Sequence, residues 1–574
     1  MTVGCDNFAK VREIGSRWVD KSFLIERFIN CSHQCTALLR PRLFGKSLNL
    51  SMMRYFFDSD CTSERLRALF DGLRITQCVE LCDIHMGKYA VISVNFKACH
   101  GPTWLHLRER LCFQLARTLE DHHEYLDVLI GAPNDYSRIL AGRIAEKSDT
   151  IIASLIPRLI SLVHAKTGKR VVLLVDEYDV PLNVKLDSDD DHSARRRFFS
   201  HMYSRSFNSN PALFKACLMG VVETQGSGVL AGINDLGIAS LDDQRFGDCF
   251  GFTQEEAVEC LMAQFGYSEP EAMSELTMEG GIMAWYGGYR FGDQELINPW
   301  SFMKYVYCGQ KFDTYWIART PRDSLSAFMC FGQPLMDALQ ELFRLGVIEG
   351  RKRWARIDIA KFDPQASFRP GNVWTQHEAL YFLCMAGYLG YCANQDGRSG
   401  KLWIPNREIY TKWVDIVRRI TYFHNETSMT NDFKCLIDAF RSFNVEIIKA
   451  VISHKLLDIQ LQTADDEYIY QRFICGLLVL FDSDFRRSTN EPEWRGFTNS
   501  MLHFDDIEKT IIIEFTKAVD DTPENSANGA LQKIIEKRFF EFAPRCHDIL
   551  LLGCAISEDN AVEIKSATIG AHEK

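Results

Sequence analysis

Five apolar residues in a row, Val171 to Val175, closed by Asp176 and Glu177, constrain this chain more than any other stretch. The run has no polar alternation, so both faces of the element must be covered. A strand buried on both faces is the mark of a parallel sheet with helices packed above and below. The preceding IIASLIPRLISLVHAKTGK carries apolar positions at helical spacing and ends in Gly168 with basic neighbours, as helices end. The same alternation recurs. CTALLR (35–40) reads as a strand and leads to a helix from about Lys46 to Phe57. VISVNF (91–96) is a second strand before the helical WLHLRERLCFQLARTLE, and LFKACLMGVV, ending at Val222, is a further core strand. Strands alternating with helices predict an α/β domain on a doubly wound parallel sheet.

In such sheets ligands bind beyond the carboxyl ends of the strands, and two of those ends carry chemistry. The first is RPRLFGKS, residues 40–47. A phosphate loop needs successive backbone N–H groups at a helix N-terminus, a lysine for the β/γ-phosphates and a hydroxyl for Mg²⁺. Gly45, Lys46 and Ser47 fill the last three positions of the P-loop (Walker A) pattern G-x-x-x-x-G-K-[ST], with Arg40 where the first glycine is expected. Alone this is half a motif, and GKS also arises by chance. The second half is Asp176-Glu177 at the end of the apolar strand, the Walker B position. Asp176 is expected to face the metal and Glu177 to activate the attacking water. The plainer reading of the pair is two solvated acids at a strand end.

Composition narrows the classes. With 65 basic and 76 acidic residues the net charge is −11, which lacks the whole-protein field of an avid nucleic-acid binder. The 19 cysteines are scattered, and no apolar run approaches a membrane span. Free thiols in an intracellular compartment are expected, the cytoplasm first and the nucleus left open. The pairs Cys31/Cys35 and Cys78/Cys82 read as packed thiols more readily than as zinc ligands.

Several ordered segments carry a family resemblance: RWVDKSFLIERFI with Asp20 and Lys21, RPRLFGKSLNLSMMRYFF, VVLLVDEYDVPL, FGFTQEE, WYGGYRFG and INPWS. From about residue 7 to 557 the chain resembles AAA-ATPase-like proteins with a C-terminal PD-(D/E)XK nuclease-like domain. The resemblance makes Arg40 a family feature. It also implies ATP and Mg²⁺ as ligands, with Arg40, Pro41, Arg42, Phe44, Gly45, Lys46 and Ser47 binding nucleotide. Ser47 and Asp176 would hold metal, and Glu177 would be catalytic. Two departures stand out: Met219 replaces a threonine expected before the glycine, where a polar γ-phosphate sensor would sit, and Gly287 replaces an aspartate. The implied organisation is an ATPase-like domain at 1–250, a helical extension at 251–350, a middle linker or helical segment at 351–430 and a nuclease-like α/β domain at 431–574.

A nuclease core of that type needs an Asp, a Glu and a lysine two residues after the Glu. The resemblance puts Glu467 on the opening helix, Asn499 in place of the aspartate, Glu514 in place and Thr516 in place of the lysine. Side chains alternate along a strand, so Lys517 points away from the face shared by Glu514 and Thr516. Asn499 lacks the charge of a good Mg²⁺ ligand. A degenerate nuclease module is expected, with Gln532 at its usual helix position. Three readings follow: an ATPase whose nucleotide state controls that module, a nuclease regulated by ATP, and a non-catalytic ATP-binding scaffold. Nucleic acid or protein is the expected partner of the C-terminal domain.

Overall fold

The computed structural model describes residues 4–15, 18–61, 63–131, 137–183, 186, 188–223, 229–230, 232–278, 280–316, 347–348, 351–352, 355–358, 376–393, 399–413, 435–458, 486–488, 500–518, 522–557 and 561–571. They fall into two compact units, one drawn from residues up to Tyr410 and the other from Thr411 onward. Glu467 and Asn499 lie outside the described residues.

The first unit is built on a five-stranded sheet in the order β2-β3-β4-β1-β5. Here β1 is Cys35–Leu39, β2 Ala90–Asn95, β3 Val171–Asp176, β4 Leu213–Gly220 and β5 Leu236–Ala239. Every neighbouring pair is parallel, as the buried apolar run requires. All six residues of β3 are buried. The short edge strand β5 escapes a sequence reading because only alternate residues of its four are buried. The chain leaves β1 for β2 beyond β3 and β4, and later crosses from β4 to β5 on the other side of β1. Strand order therefore reverses at β1, the position where α/β sheets open a crevice. Register sets the two chemical ends level: Met219 of β4 pairs with both Leu38 of β1 and Asp176 of β3.

Local chemistry explains the helices. The segment read as one helix before β3 is two, Asp149–Ala153 and Leu155–Thr167. Pro157 has no N–H to return to the Ala153 carbonyl, so the helix restarts after Ser154. Gly168 ends it with φ +69° and bonds back to the His164 carbonyl at 2.8 Å.

The region after the sheet is helical (Gln254–Phe265, Glu269–Thr277, Ile282–Tyr286, Pro299–Tyr307), its first helix opened by a Thr253–Glu256 capping box. Glu256 also accepts from Lys21, whose amine donates to both its oxygens at 2.7 Å and so ties the segment ahead of β1 to this helix. A hairpin, Tyr289–Phe291 with Gln294–Leu296, interrupts the helices. Further on come the helix Gln376–Ala386 and a three-stranded antiparallel sheet of Ala355–Asp358, Ser399–Trp403 and Gly390–Ala393.

The glycine pair before the hairpin is closed to side chains. A Cβ on Gly288 would lie 2.0 Å from the Pro405 carbonyl oxygen, and its φ is +83°. Around it the Ile404-Pro405-Asn406 turn is stitched down: Asn406 donates to the Gly287 carbonyl at 2.7 Å and Trp403 to the Gly288 carbonyl at 2.9 Å. At Gly287 a Cβ would meet the Met283 carbonyl oxygen at 2.7 Å, so an aspartate there would force that turn to move. Gly288→Ala is expected to destabilise the first unit by more than about 3 kcal/mol, from strain and overpacking together. Urea unfolding checks this, and a midpoint equal to wild type would contradict it.

The second unit holds a five-stranded sheet ordered Arg486–Ser488, Ser500–Phe504, Lys509–Ala518, Asp548–Ser557, Val562–Ile569. Only Lys509–Ala518 and Asp548–Ser557 are parallel, and the helix Pro523–Glu536 connects them. Gly553 lets that helix press onto the sheet, since a Cβ would sit 2.2 Å from the Ala527 carbonyl oxygen. The last strand lies beyond the stretch covered by the family resemblance. No described helix is long and apolar enough to cross a membrane.

Candidate functional site

Between β1 and the helix Lys46–Phe57 the chain makes a tight turn with left-handed backbone at Leu43 (φ 63°) and Gly45 (φ 86°) and a negative φ at Phe44 between them. Alternating handedness turns successive N–H groups toward one side, the geometry of an anion-binding nest. At Leu43 this strains a branched side chain, and such strain persists only where the surroundings enforce it. They do. Phe44 is buried edge-on against Tyr289, ring centroids 4.9 Å apart, and 5.3 Å from Phe291. Pro41 is buried beside Gly387, where a Cβ would come within 2.9 Å of it.

Arg40 is fully buried. Its guanidinium donates to the carbonyls of Leu39 at 2.7 Å, Ala239 at 3.1 Å, Ser240 at 2.9 Å and Phe246 at 2.8 Å. It lies between the rings of Phe250 and Phe291, and burial pulls its pKa down to about 10. The two terminal nitrogens therefore tie the loop to the end of β5, while Nε is buried without a partner. Phe44 likewise anchors the loop from behind. Arg42 differs: it is exposed, with no side-chain hydrogen bond or ion pair among the described residues.

Lys46 is 4% exposed and its amine donates to the carbonyls of Arg40 at 3.0 Å and Pro41 at 3.1 Å. Ser47 donates its hydroxyl to Oδ2 of Asp176 at 2.7 Å. The two halves of the pattern, 129 residues apart in sequence, thus meet in one hydrogen bond. Asn95, level with Asp176 on β2, donates to the same oxygen at 3.1 Å. The other oxygen, Oδ1, is buried without a partner. Burial, and then the neighbouring Glu177 charge, push the Asp176 carboxyl up to about 6, against the Ser47 hydrogen bond and Lys46. A buried carboxylate oxygen without a donor beside a hydroxyl is a hard-oxygen set open to a cation.

Glu177 leaves the strand with φ 54°, the left-handed region for a non-glycine residue. Its carboxylate is partly exposed and has no hydrogen-bond partner among the described residues. A strained, unpaired acid beside the cation-ready group can hold and polarise water.

Two contributors escape a motif reading. Asn95 fixes Asp176, yet a lone asparagine after VISV carries no signal. Asp179 is 2% exposed and accepts from the N–H groups of Val221 and Val222, both at 3.0 Å. It binds the turn after β3 to the chain leaving β4; burial and then Glu177 raise its pKa. Gly220 makes room, since a Cβ there would lie 2.5 Å from the Tyr178 ring. The second aspartate of DEYD was the available clue. Met219 is fully buried and offers no polar group.

In the second unit Glu514 is 1% exposed and takes a hydrogen bond from Lys533 of the Pro523–Glu536 helix. Thr516 follows on the same strand, partly buried. Among the described residues no three His, Cys, Asp or Glu side chains gather as a metal cluster.

Residues 2–230 match the family AAA-ATPase_like, described as "Predicted AAA-ATPase". That span contains β1 to β4, the Arg40–Ser47 loop, Asn95, Asp176, Glu177 and Asp179. Over 359 residues the chain is 26% identical to a protein of Azotobacter chroococcum mcd 1 described as "Uncharacterized protein in vnfD 5'region". The aligned stretch covers 61% of this chain and 61% of that one. The first unit is thus similar over residues 2–230 to AAA-ATPase-like proteins, and its parallel sheet and strand-end loop are of the kind that binds ligands at such an edge.

Proposed function

We propose that the first unit binds ATP with Mg²⁺ on the Arg40–Ser47 loop and hydrolyses it. The observation that carries this reading is the Ser47–Asp176 hydrogen bond, with the second oxygen of Asp176 left buried and unpaired. That donor set fits Mg²⁺, which Ser47 and Asp176 would hold; the bound ion neutralises charge on the phosphates. Lys46 exchanges the Arg40 and Pro41 carbonyls for phosphate oxygens, and the loop N–H groups and exposed Arg42 supply further donors. Glu177 accepts a proton from the attacking water, while Asn95 and Asp179 keep the two strand ends aligned. Preference for ATP over GTP rests on the family match alone.

Glu177→Gln tests turnover separately from binding. Phosphate release is expected to fall by about a hundredfold or more, the scale of a general base, with Mg·ATP affinity near wild type. Equal rates would exclude Glu177 as the base. The buried Met219 favours a second reading, binding without turnover, and a wild type that binds but releases no phosphate would establish it.

For the second unit we propose a nuclease-like fold that no longer cleaves, used for recognition of nucleic acid or protein. Thr516 stands where a lysine is needed, and Glu514 is engaged by Lys533. Wild-type protein with Mg²⁺ or Mn²⁺ is expected to leave plasmid DNA and RNA intact. Cleavage that disappears in Glu514→Ala would overturn this.

A further inference from the structure

We infer that Trp316 is a positioning residue for the nucleotide loop, holding its backbone from outside once Lys46 is drawn onto phosphate. The inference rests on the nucleotide reading above and deepens it.

A loop that turns its N–H groups inward to an anion turns carbonyls outward, and those carbonyls need donors of their own. Three successive carbonyls of this loop have them. Lys46 covers Arg40 and Pro41. The third, on Arg42, accepts from the indole N–H of Trp316 at 3.0 Å, across 274 residues of sequence. Trp316 is itself firmly seated. It is 2% exposed, and its ring meets Tyr388 edge-on at 5.1 Å. Its backbone N–H donates to Glu408 Oε1, whose second oxygen accepts from the Ser301 hydroxyl at 2.7 Å. Glu408 is fully buried, so this carboxylate is a fixed post and not a surface contact.

The division of labour has a consequence. In the nucleotide-free loop Lys46 and Trp316 both hold carbonyls, and loss of one leaves the other. With phosphate bound, the lysine amine is committed to the ligand, and the indole bond remains on the outer backbone beside the Arg40 anchor. Removing the indole N–H should therefore weaken the bound state more than the free one. A loop that spends only part of its time in the binding shape lowers apparent affinity by that fraction.

The test is calorimetric titration of the full chain with Mg·ATP, wild type against Trp316→Phe, which keeps a ring on Tyr388 and deletes the N–H. Binding about five- to tenfold weaker in the variant is expected, the scale of one lost hydrogen bond. The melting temperature without nucleotide should stay close to wild type. An unchanged Kd overturns the inference, whatever happens to stability, because a merely structural indole would lower the melting temperature and leave Kd alone. Should Trp316→Phe fail to fold, Trp316→Leu, which likewise deletes the indole N–H, decides by the same titration: weaker binding supports the inference, equal binding overturns it. A wild type that does not bind Mg·ATP at all fails the underlying nucleotide reading, a result distinct from equal affinities.

Discussion

Lys46→Ala is expected to remove the thermal stabilisation that Mg·ATP gives the wild-type chain. The amine is buried at the neck of the loop and is held by two backbone carbonyls at 3.0 and 3.1 Å. Moving to phosphate, it trades neutral acceptors for charged ones, and each hydrogen bond to a charged group is worth about 1.5–3 kcal/mol. Loss of two such bonds corresponds to at least a hundredfold weaker binding, about 2.7 kcal/mol. At a nucleotide concentration near 100 times the wild-type Kd, ligand stabilisation of about that same size should vanish in the variant. The nucleotide-free variant should remain folded, because Arg40, Phe44 and Trp316 hold the loop independently. Full retention of the ATP-induced shift would remove Lys46 from the site.

Asp176→Asn should act in two opposite directions. Without nucleotide or metal it should stabilise the protein above neutral pH, while Mg²⁺-dependent nucleotide binding is lost. The cause is a carboxylate buried with one oxygen unpaired and with Glu177 beside it. Its pKa is raised from 3.8 to about 6, so the folded state favours the protonated form. The stability this group contributes is complete below pH ~4 and is lost as pH rises through ~6. At pH 8 the metal-free fold carries an unfavourable buried charge, on the order of 3 kcal/mol from a shift of about two pH units. Asparagine keeps the shape and an acceptor for Ser47 and lacks the charge. In EDTA the variant should therefore melt higher than wild type at pH 8 and no higher at pH 4. A variant less stable than wild type at pH 8 would show that Asp176 is structural, not a carboxylate kept under stress for a cation.

Much of this was legible in the sequence because it is local. The apolar run of β3 can be buried only inside a parallel sheet, and Gly45-Lys46-Ser47 must start a helix after a turn. What bound the loop to its surroundings was not legible. The family resemblance implies nucleotide binding for Arg40, but its four carbonyl partners, three of them on Ala239, Ser240 and Phe246, carry no signal in the sequence. Trp316, Glu408 and the Ile404-Pro405-Asn406 turn act across a hundred residues or more, and no spacing rule links them to the loop. The hairpin after Gly288 was missed because its strands are only three residues each.

If the loop after β1 and the end of β3 form one Mg²⁺-dependent nucleotide site, titration of the wild-type chain with ATP, in Mg²⁺ and again in EDTA, will show it. Saturable binding at one site per chain is expected in Mg²⁺. In EDTA it should weaken by at least tenfold, because the orphaned oxygen of Asp176 then repels the phosphates with no cation between them. No binding in Mg²⁺, or equal affinity with and without it, would contradict a site of this kind.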